Sequence, residues 1–324
     1  MIELVLTIVL SNTPLALVGN DSGVWFIGDV DPGVASFARA QDLDHELCEQ
    51  VGNGEYLVIH PFTRRPAGLA VEEQAMWFID DSYGVGLYTI QLAASQRASK
   101  SQHVLMQAPV MRSVFETDKH STDFLLYQSA PLLVFGDGES ETELVHFVHR
   151  QWESLPSIGD SGACVTSFQG ELLCAVQEED GKIMVSSLRD TAWVVRNSEL
   201  TIDGELTDFF SKDDWPILVA VKEGRATLHG IQNNSLVELA SFAIPKGRWG
   251  VTPSPSGLTV AGVERNGTTT FLDIGWPSGS MSDPVVLAER FRGDDTLLMT
   301  VLFISMVCVS IILLSKIRTN RISQ

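Results

Sequence analysis

Basic residues are scarce in this chain. Against 41 Asp and Glu stand 22 Lys and Arg, a formal charge of −19 over 324 residues, with no concentrated basic patch. Nonspecific nucleic-acid affinity rests on cationic contacts with phosphate, so nucleic acid is excluded as a partner. Helical periodicity is almost as rare. Only "DLDHELCEQV", Asp42 to Val51, reads as a helix, which leaves an all-β chain. Four cysteines are too few to fix the redox compartment: Cys308 lies in an apolar run and Cys48 stands alone. Cys164 and Cys174 flank "VTSFQGELL" and are symmetric about Gln169. A hairpin turning at that residue sets them face to face, either as a cross-strand disulfide or as two buried thiols.

What the chain does have is apolar surface, at 44% of residues, enough for a real core. Its longest apolar run is "TLLMTVLFISMVCVSIILLS", residues 296–315, which carries no formal charge. As a helix it spans roughly 30 Å, the thickness of a hydrocarbon core. Asp294 and Asp295 precede it, and Lys316, Arg318 and Arg321 follow. The expectation is one transmembrane helix anchored in membrane lipid, with residues 316–324 as a short basic cytoplasmic tail and the large domain outside. That orientation calls for an export signal. Residues 1–18 supply an apolar stretch from Leu4 to Leu10 but carry Glu3 where a basic residue is usual. They read as a signal peptide or signal anchor, with a first strand as the alternative; a tail-anchored domain left in the cytoplasm is the competing arrangement.

Residues 19–294 repeat one phrase: an apolar strand, a polar turn containing Gly, another apolar strand. It starts at Val24, Met76, Leu132, Leu172, Leu218 and Leu258. The turns use Asp, Glu, Asn and Gly, which tolerate tight hairpin angles. Centres at Trp25, Trp77, Leu133, Cys174, Val219 and Val260 are spaced by 52, 56, 41, 45 and 41 residues. The period is close to the ~40–50 residues of a four-stranded blade. "EYLVIHPF", "HVLMQAPVM", "TAWVVRN", "SLVELASFAIP" and "PVVLAERF" are candidates for the remaining strands.

On these hairpins the chain resembles β-propeller proteins, and six repeats imply six blades. The Gly-His and Trp-Asp pairs of WD40 blades and the paired glycines of kelch blades are missing, so the resemblance is to a superfold. It implies no catalytic residues. A pair of β-sandwiches is the rival, but it offers no reason for the longer period.

"GDSG", residues 159–162, resembles the nucleophile loop of trypsin-like serine proteases, which would make Ser161 a nucleophile. That chemistry needs a histidine base and an orienting acid upstream. His60, with Asp80 or Asp81, has the nearest separation, but no histidine has the family's setting, and Ala163-Cys164 stands where the family has Gly-Pro. A polar turn accounts for the stretch, and the similar "GNDSG" recurs at Gly19 to Gly23. The acidic turns, with Asp29, Asp31, Asp137 and Asp180 foremost, are weak candidates for calcium. His146 and His149, three apart, are unsuited to a shared metal on one strand. No cofactor is expected. The sequence therefore points to a membrane-anchored, noncatalytic propeller that binds a protein or ligand on one face outside the cytoplasm. The alternative is a propeller hydrolase acting on glycans or peptides.

Overall fold

The six apolar hairpins become the second and third strands of six sheets. The computed structural model describes residues 17–21, 23–29, 45–52, 55–62, 66–72, 75–80, 85–91, 109–117, 119, 121–136, 141–159, 162–245, 247–264 and 268–291. Blade 1 holds β1 (Leu17–Asn20), β2 (Gly23–Asp29), β3 (His45–Gly52) and β4 (Glu55–Phe62). Blade 2 holds β5 (Gly68–Glu72), β6 (Ala75–Asp80), β7 (Val85–Gln91) and β8 (Val110–Phe115). In blade 3 are β9 (Asp123–Tyr127), β10 (Ala130–Gly136), β11 (Thr142–Val148) and β12 (Gln151–Ile158). Blade 4 contains β13 (Cys164–Phe168), β14 (Glu171–Gln177), β15 (Lys182–Arg189) and β16 (Ala192–Thr201). Blade 5 contains β17 (Glu205–Lys212), β18 (Trp215–Lys222), β19 (Arg225–Gln232) and β20 (Ser235–Ala243). Blade 6 contains β21 (Arg248–Ser254), β22 (Gly257–Val263), β23 (Thr269–Gly275) and β24 (Val285–Val286), and β25 (Ala288–Phe291) follows.

Each blade is an antiparallel meander in chain order, and β25 adds to β4 as a parallel fifth strand on the outside of blade 1. The first strands touch in the order β1, β5, β9, β13, β17, β21 and back to β1, which closes a ring around a central channel. The chain is a six-bladed β-propeller. Each of its six apolar clusters joins two adjacent blades, so the core is six seams and not one centre. Burying each Val, Leu, Ile or Phe there contributes about 1.5–3 kcal/mol. No blade buries both faces alone; stacking its neighbours does that. The second strands are buried on both faces, as at Leu172 to Val176, which explains why they read as unbroken apolar runs.

Trp25 and Trp77 occupy equivalent positions, two residues past the first pair of their hairpins, and fill the seams flanking blade 2. The matching residues elsewhere are Leu132, Leu173, Ile217 and Thr259, one or two positions before the centres read from the sequence. The outer strands are stitched in the same repeated way. Trp152 Nε1 donates to Ser113 Oγ at 3.0 Å, and Trp193 Nε1 donates to the Pro156 carbonyl at 2.9 Å, each reaching the preceding blade. The inner ring is tight where it needs to be. A Cβ on Gly19 would stand 2.1 Å from the Pro253 carbonyl oxygen, and one on Gly68 would stand 2.5 Å from Phe124 Cβ.

Three expectations are corrected. Asp42 to Val51 does not supply a helix: His45–Gly52 is a strand paired on both sides, with β2 and with β4. Leu47, Cys48 and Val51 fit one helical stripe, but two paired edges decide the conformation. Leu17 and Val18, placed with the N-terminal segment, belong to the innermost strand of blade 1. Cys164 and Cys174 do not face each other. The turn holds two residues, Gln169 and Gly170 (φ 50° and 77°), so Cys164 opposes Ala175 and Cys174 opposes Val165. The two thiols are free and pack in different seams. Among the described residues no helix is long and apolar enough to cross a membrane. Residues 1–16, the apolar run 296–315 and the tail 316–324 lie outside the described residues.

Candidate functional site

The meander fixes where each turn lies. Inner strands start at what we call the upper face and end at the lower face. Blade-to-blade connections and second-to-third turns are therefore on the upper face, and the other turns are below. The acidic turns singled out in the sequence are all of the second-to-third class. Repetition thus gathers them on one face of the ring.

Every inner strand ends in a two-residue turn, so residues equally far from the turn share a level. Four residues back from the strand ends stand Gly68, Asp123, Cys164, Asp208 and Gly250. Asp123 and Asp208 flank Cys164 on consecutive strands β9, β13 and β17. Both belong to one local motif, Thr-Asp-Phe, at Thr122 to Phe124 and Thr207 to Phe209. Asp123 Oδ1 accepts the Phe124 N–H at 2.7 Å, and Asp208 Oδ1 accepts the Phe209 N–H at 2.7 Å. Thr122 and Thr207 donate to the Val134 and Val219 carbonyls, each at 3.2 Å. The two blades thus repeat the same pair of bonds, one of which holds the carboxyl.

The phenylalanines of this motif turn back into the apolar seams, Phe124 between blades 2 and 3 and Phe209 between blades 4 and 5. The preceding aspartates sit beside the channel. Asp123 keeps an exposed side chain and Asp208 a half-buried one, yet protein encloses both. Desolvation raises Asp123 to about 6, opposed by its backbone hydrogen bond. Asp208 is raised to about 7, first by desolvation and then by the charge of Asp123. Burial raises the Cys164 thiol, and the charges of Asp208 and Asp123 raise it further. Cys174 is pushed up by burial to about 12. Neither thiol has the depressed acidity that a nucleophilic cysteine needs.

The rim around this mouth is acidic. Glu178, Glu179 and Asp180, with Glu205 of the next blade, line a shallow groove of about 550 Å³ between blades 4 and 5. Gln177 pins its floor, donating to the Gly204 carbonyl at 2.7 Å and accepting the Leu206 N–H at 2.8 Å. Asp180 is engaged by Lys182, and that hydrogen bond holds its carboxyl below the usual range. The other weak calcium candidates are not assembled with it. Asp29 ends β2 in blade 1, while Asp31 and Asp137 lie outside the described residues. Among the described residues no group of three or more His, Cys, Asp and Glu is arranged to hold a metal ion.

Ser161 also lies outside the described residues, in the connection from β12 to β13 between blades 3 and 4. His60, its nearest match as a base, is in β4 on the outer part of blade 1, which adjoins neither. "GNDSG" is not the structural twin of this stretch. It turns from β1 into β2 at the lower face, whereas "GDSG" joins two blades above. His146 is buried against Tyr127, with Nε2 2.9 Å from the Tyr127 carbonyl oxygen, and burial lowers its pKa. His149 is in the following turn, so the two do not share a strand. The tryptophans are occupied in packing: Trp215 meets Trp276 edge-on, and Trp249 meets Phe242.

No protein-family model matches the chain, and no curated protein sequence matches it. Solved structures do. The fungal lectin of Aleuria aurantia, described with a six-bladed β-propeller fold and a fucose recognition mode, superposes with a TM-score of 0.57 at 9% identity, covering 87% of this chain and 96% of the lectin. The SapL1 lectin, solved with α-methyl fucoside, gives 0.56 at 11% identity over 85% of this chain and 96% of its own. TolB from Acinetobacter baumannii gives 0.52 at 12% identity over 83% and 67%. The likeness is one of fold.

Proposed function

We propose that this chain is a noncatalytic binding module which takes its ligand on the upper face. A single membrane span at residues 296–315 carries it, with the propeller outside the cytoplasm. The observation that carries the binding reading is the matched pair Asp123 and Asp208, held by the same hydrogen bond in two blades at one level of the inner ring. Fold neighbours named as lectins, and TolB, support a binding role for such a scaffold. The apolar run and its basic flank support the anchor. The test is full-length protein in nanodiscs screened against glycan and basic-peptide arrays. Binding lost in Asp123→Asn/Asp208→Asn but kept in Glu178→Gln supports the reading. Binding indifferent to the double variant, or absent throughout, sinks it.

One observation favours a hydrolase instead: two carboxyls raised to about 6 and about 7 are poised for acid–base work near neutrality. Each already spends one oxygen on its own strand's N–H, which suits positioning more than proton transfer. Release of product from an arrayed ligand, abolished by either single Asn variant, would decide for the enzyme.

A further inference from the structure

We propose that the seam between blades 6 and 1 is where the ring opens, and that residues 285–291 form a strap whose hold on blade 1 sets how often it does so.

Chain order singles out this seam. The other five are crossed by short connections, at 63–67, 116–122, 159–163, 202–204 and 244–247. Each runs from the outer strand of one blade to the inner strand of the next, so those blades part no further than a short loop allows. Blade 1 is first in the chain and blade 6 last, and no such connection joins them. The ties across their seam are an apolar cluster, a Lys212–Asp21 ion pair on the lower face and the strap. All hold blade 1 without a covalent link.

The strap grips one blade and then the other within seven residues. Val285 and Val286 pair with Phe271 and Thr270 of blade 6, and the Leu287 N–H donates to the Thr269 carbonyl at 2.8 Å. Leu287 itself is 7% exposed and packs into the seam, where Phe26 and Cys48 of blade 1 meet Ala261 and Phe271 of blade 6. Phe26 and Phe271 touch edge-on there, their ring centroids 5.3 Å apart. At the next residue the strap changes sides, with Ala288 beside Glu55 and Phe291 beside Leu57 on β4.

The grip is lopsided. Toward blade 6 the strap is continuous with the chain of that blade; toward blade 1 it has the Leu287 side chain and the β25 ladder. That ladder is parallel, lies on an outer edge and slips register between Glu289 and Phe291. Parallel pairing is slightly weaker per residue, and an edge strand has no further neighbour to hold it. Releasing β25 and parting one apolar surface leaves all six four-stranded meanders intact. Such an opening exposes far less surface than unfolding does and is correspondingly less costly.

The chain carries its own reporters. Cys48 lies in this seam and Cys174 in the seam between blades 3 and 4, and each is 1% exposed. The full chain is alkylated under native conditions, each site is followed by peptide mass, and rates are normalised to those in full denaturant. Cys48 is expected to react about tenfold or more faster than Cys174, with a weaker dependence on added denaturant. A single shared rate and slope would mean that both thiols wait for global unfolding, which overturns the weak seam. Replacing residues 288–291 by Gly-Ser-Gly-Ser keeps Leu287 and the chain length. It is expected to speed Cys48 by about tenfold and leave Cys174 unchanged, and Leu287→Ala is expected to act in the same direction. An unchanged Cys48 rate, or an equal rise at both thiols, overturns the strap as the latch. Should neither variant fold, the comparison within the unsubstituted chain still decides whether this seam opens first.

Discussion

Lys212 Nζ lies 2.7 Å from Asp21 Oδ1, across 191 residues of sequence and between two blades that are not neighbours in the ring. Lys212 ends the inner strand of blade 5, and Asp21 sits in the first turn of blade 1. Their bridge therefore ties the lower end of the channel across blade 6. Beside it Gln169 Nε2 donates to Asp214 Oδ1 at 3.0 Å, and Ser211 Oγ donates to the Ser167 carbonyl at 2.8 Å, both linking blade 5 to blade 4. The lower mouth is laced, while the upper mouth presents carboxyls.

The bridge is unequal. Lys212 is 9% exposed and Asp21 is 85% exposed. Removing Asp21 strands a buried ammonium, left with Asp213 at 3.6 Å, whereas removing Lys212 leaves a carboxylate in water. Asp21→Asn is expected to cost about 1–3 kcal/mol and Lys212→Met less. Denaturant unfolding of both variants checks the order; a larger loss in Lys212→Met contradicts it.

Asp123 and Asp208 make stability fall as pH rises. Their folded pKa values, about 6 and about 7, lie above the ordinary aspartate value of 3.8, so between pH 4 and 7 the folded state binds more protons than the unfolded state. The favourable contribution is complete below that window and is lost as pH climbs through it. Asp123→Asn/Asp208→Asn keeps the acceptor oxygens and removes the charges. It is expected to gain on the order of 1–2 kcal/mol at pH 8, after allowance for the solvent exposure of Asp123, and nothing at pH 4. Thermal melts across pH read this directly, and parallel curves for the two proteins rule it out.

Gly68 is held by the neighbouring blade. Gly68→Ala places a methyl group 2.5 Å from Phe124 Cβ, on backbone-supported atoms, and is expected to cost about 1–3 kcal/mol. Gly159→Ala, with nothing within 4 Å of its Cβ, is the matched control. Equal melting temperatures for both would show that the inner ring is looser than described.

The thiols of Cys164 and Cys174 are expected to resist alkylation at pH 8 until the propeller unfolds. Burial pushes Cys174 to about 12 and also raises Cys164. Intact mass after non-reducing alkylation in denaturant should count both as free. A mass two hydrogen atoms lighter, with neither residue modified, would mean a bridge that the register forbids.

The blades were legible because a strand buried on both faces has only one way to be written, as a run such as "LLCAV", and six such runs keep a period. What escaped depended on half-residue geometry or on ring closure. Symmetry about Gln169 and symmetry about the Gln169–Gly170 bond differ by half a position, yet that half-position turns a facing cysteine pair into thiols in separate seams. Asp123 and Asp208 are 85 residues apart (208 − 123), and only the closed ring puts them on one level. The repeated Thr-Asp-Phe was the available signal, too short to stand out among acidic turns. The acidic turns themselves were visible, but their gathering on one face follows from the meander and not from their composition.

β25 has a consequence for how the chain comes into being. Blade 1 opens the propeller, but its fifth strand pairs Ala288 with Glu55, a separation of 233 residues (288 − 55). During synthesis the first blade must wait, its outer edge unpaired, until almost the entire propeller has emerged. Contacts of such long range are slow to form and leave strand edges open meanwhile. The residues that finish the first blade are followed within four positions by the apolar run. If that run enters a bilayer as proposed, assembly of the ring ends beside the membrane, with the last strand docking as the anchor arrives.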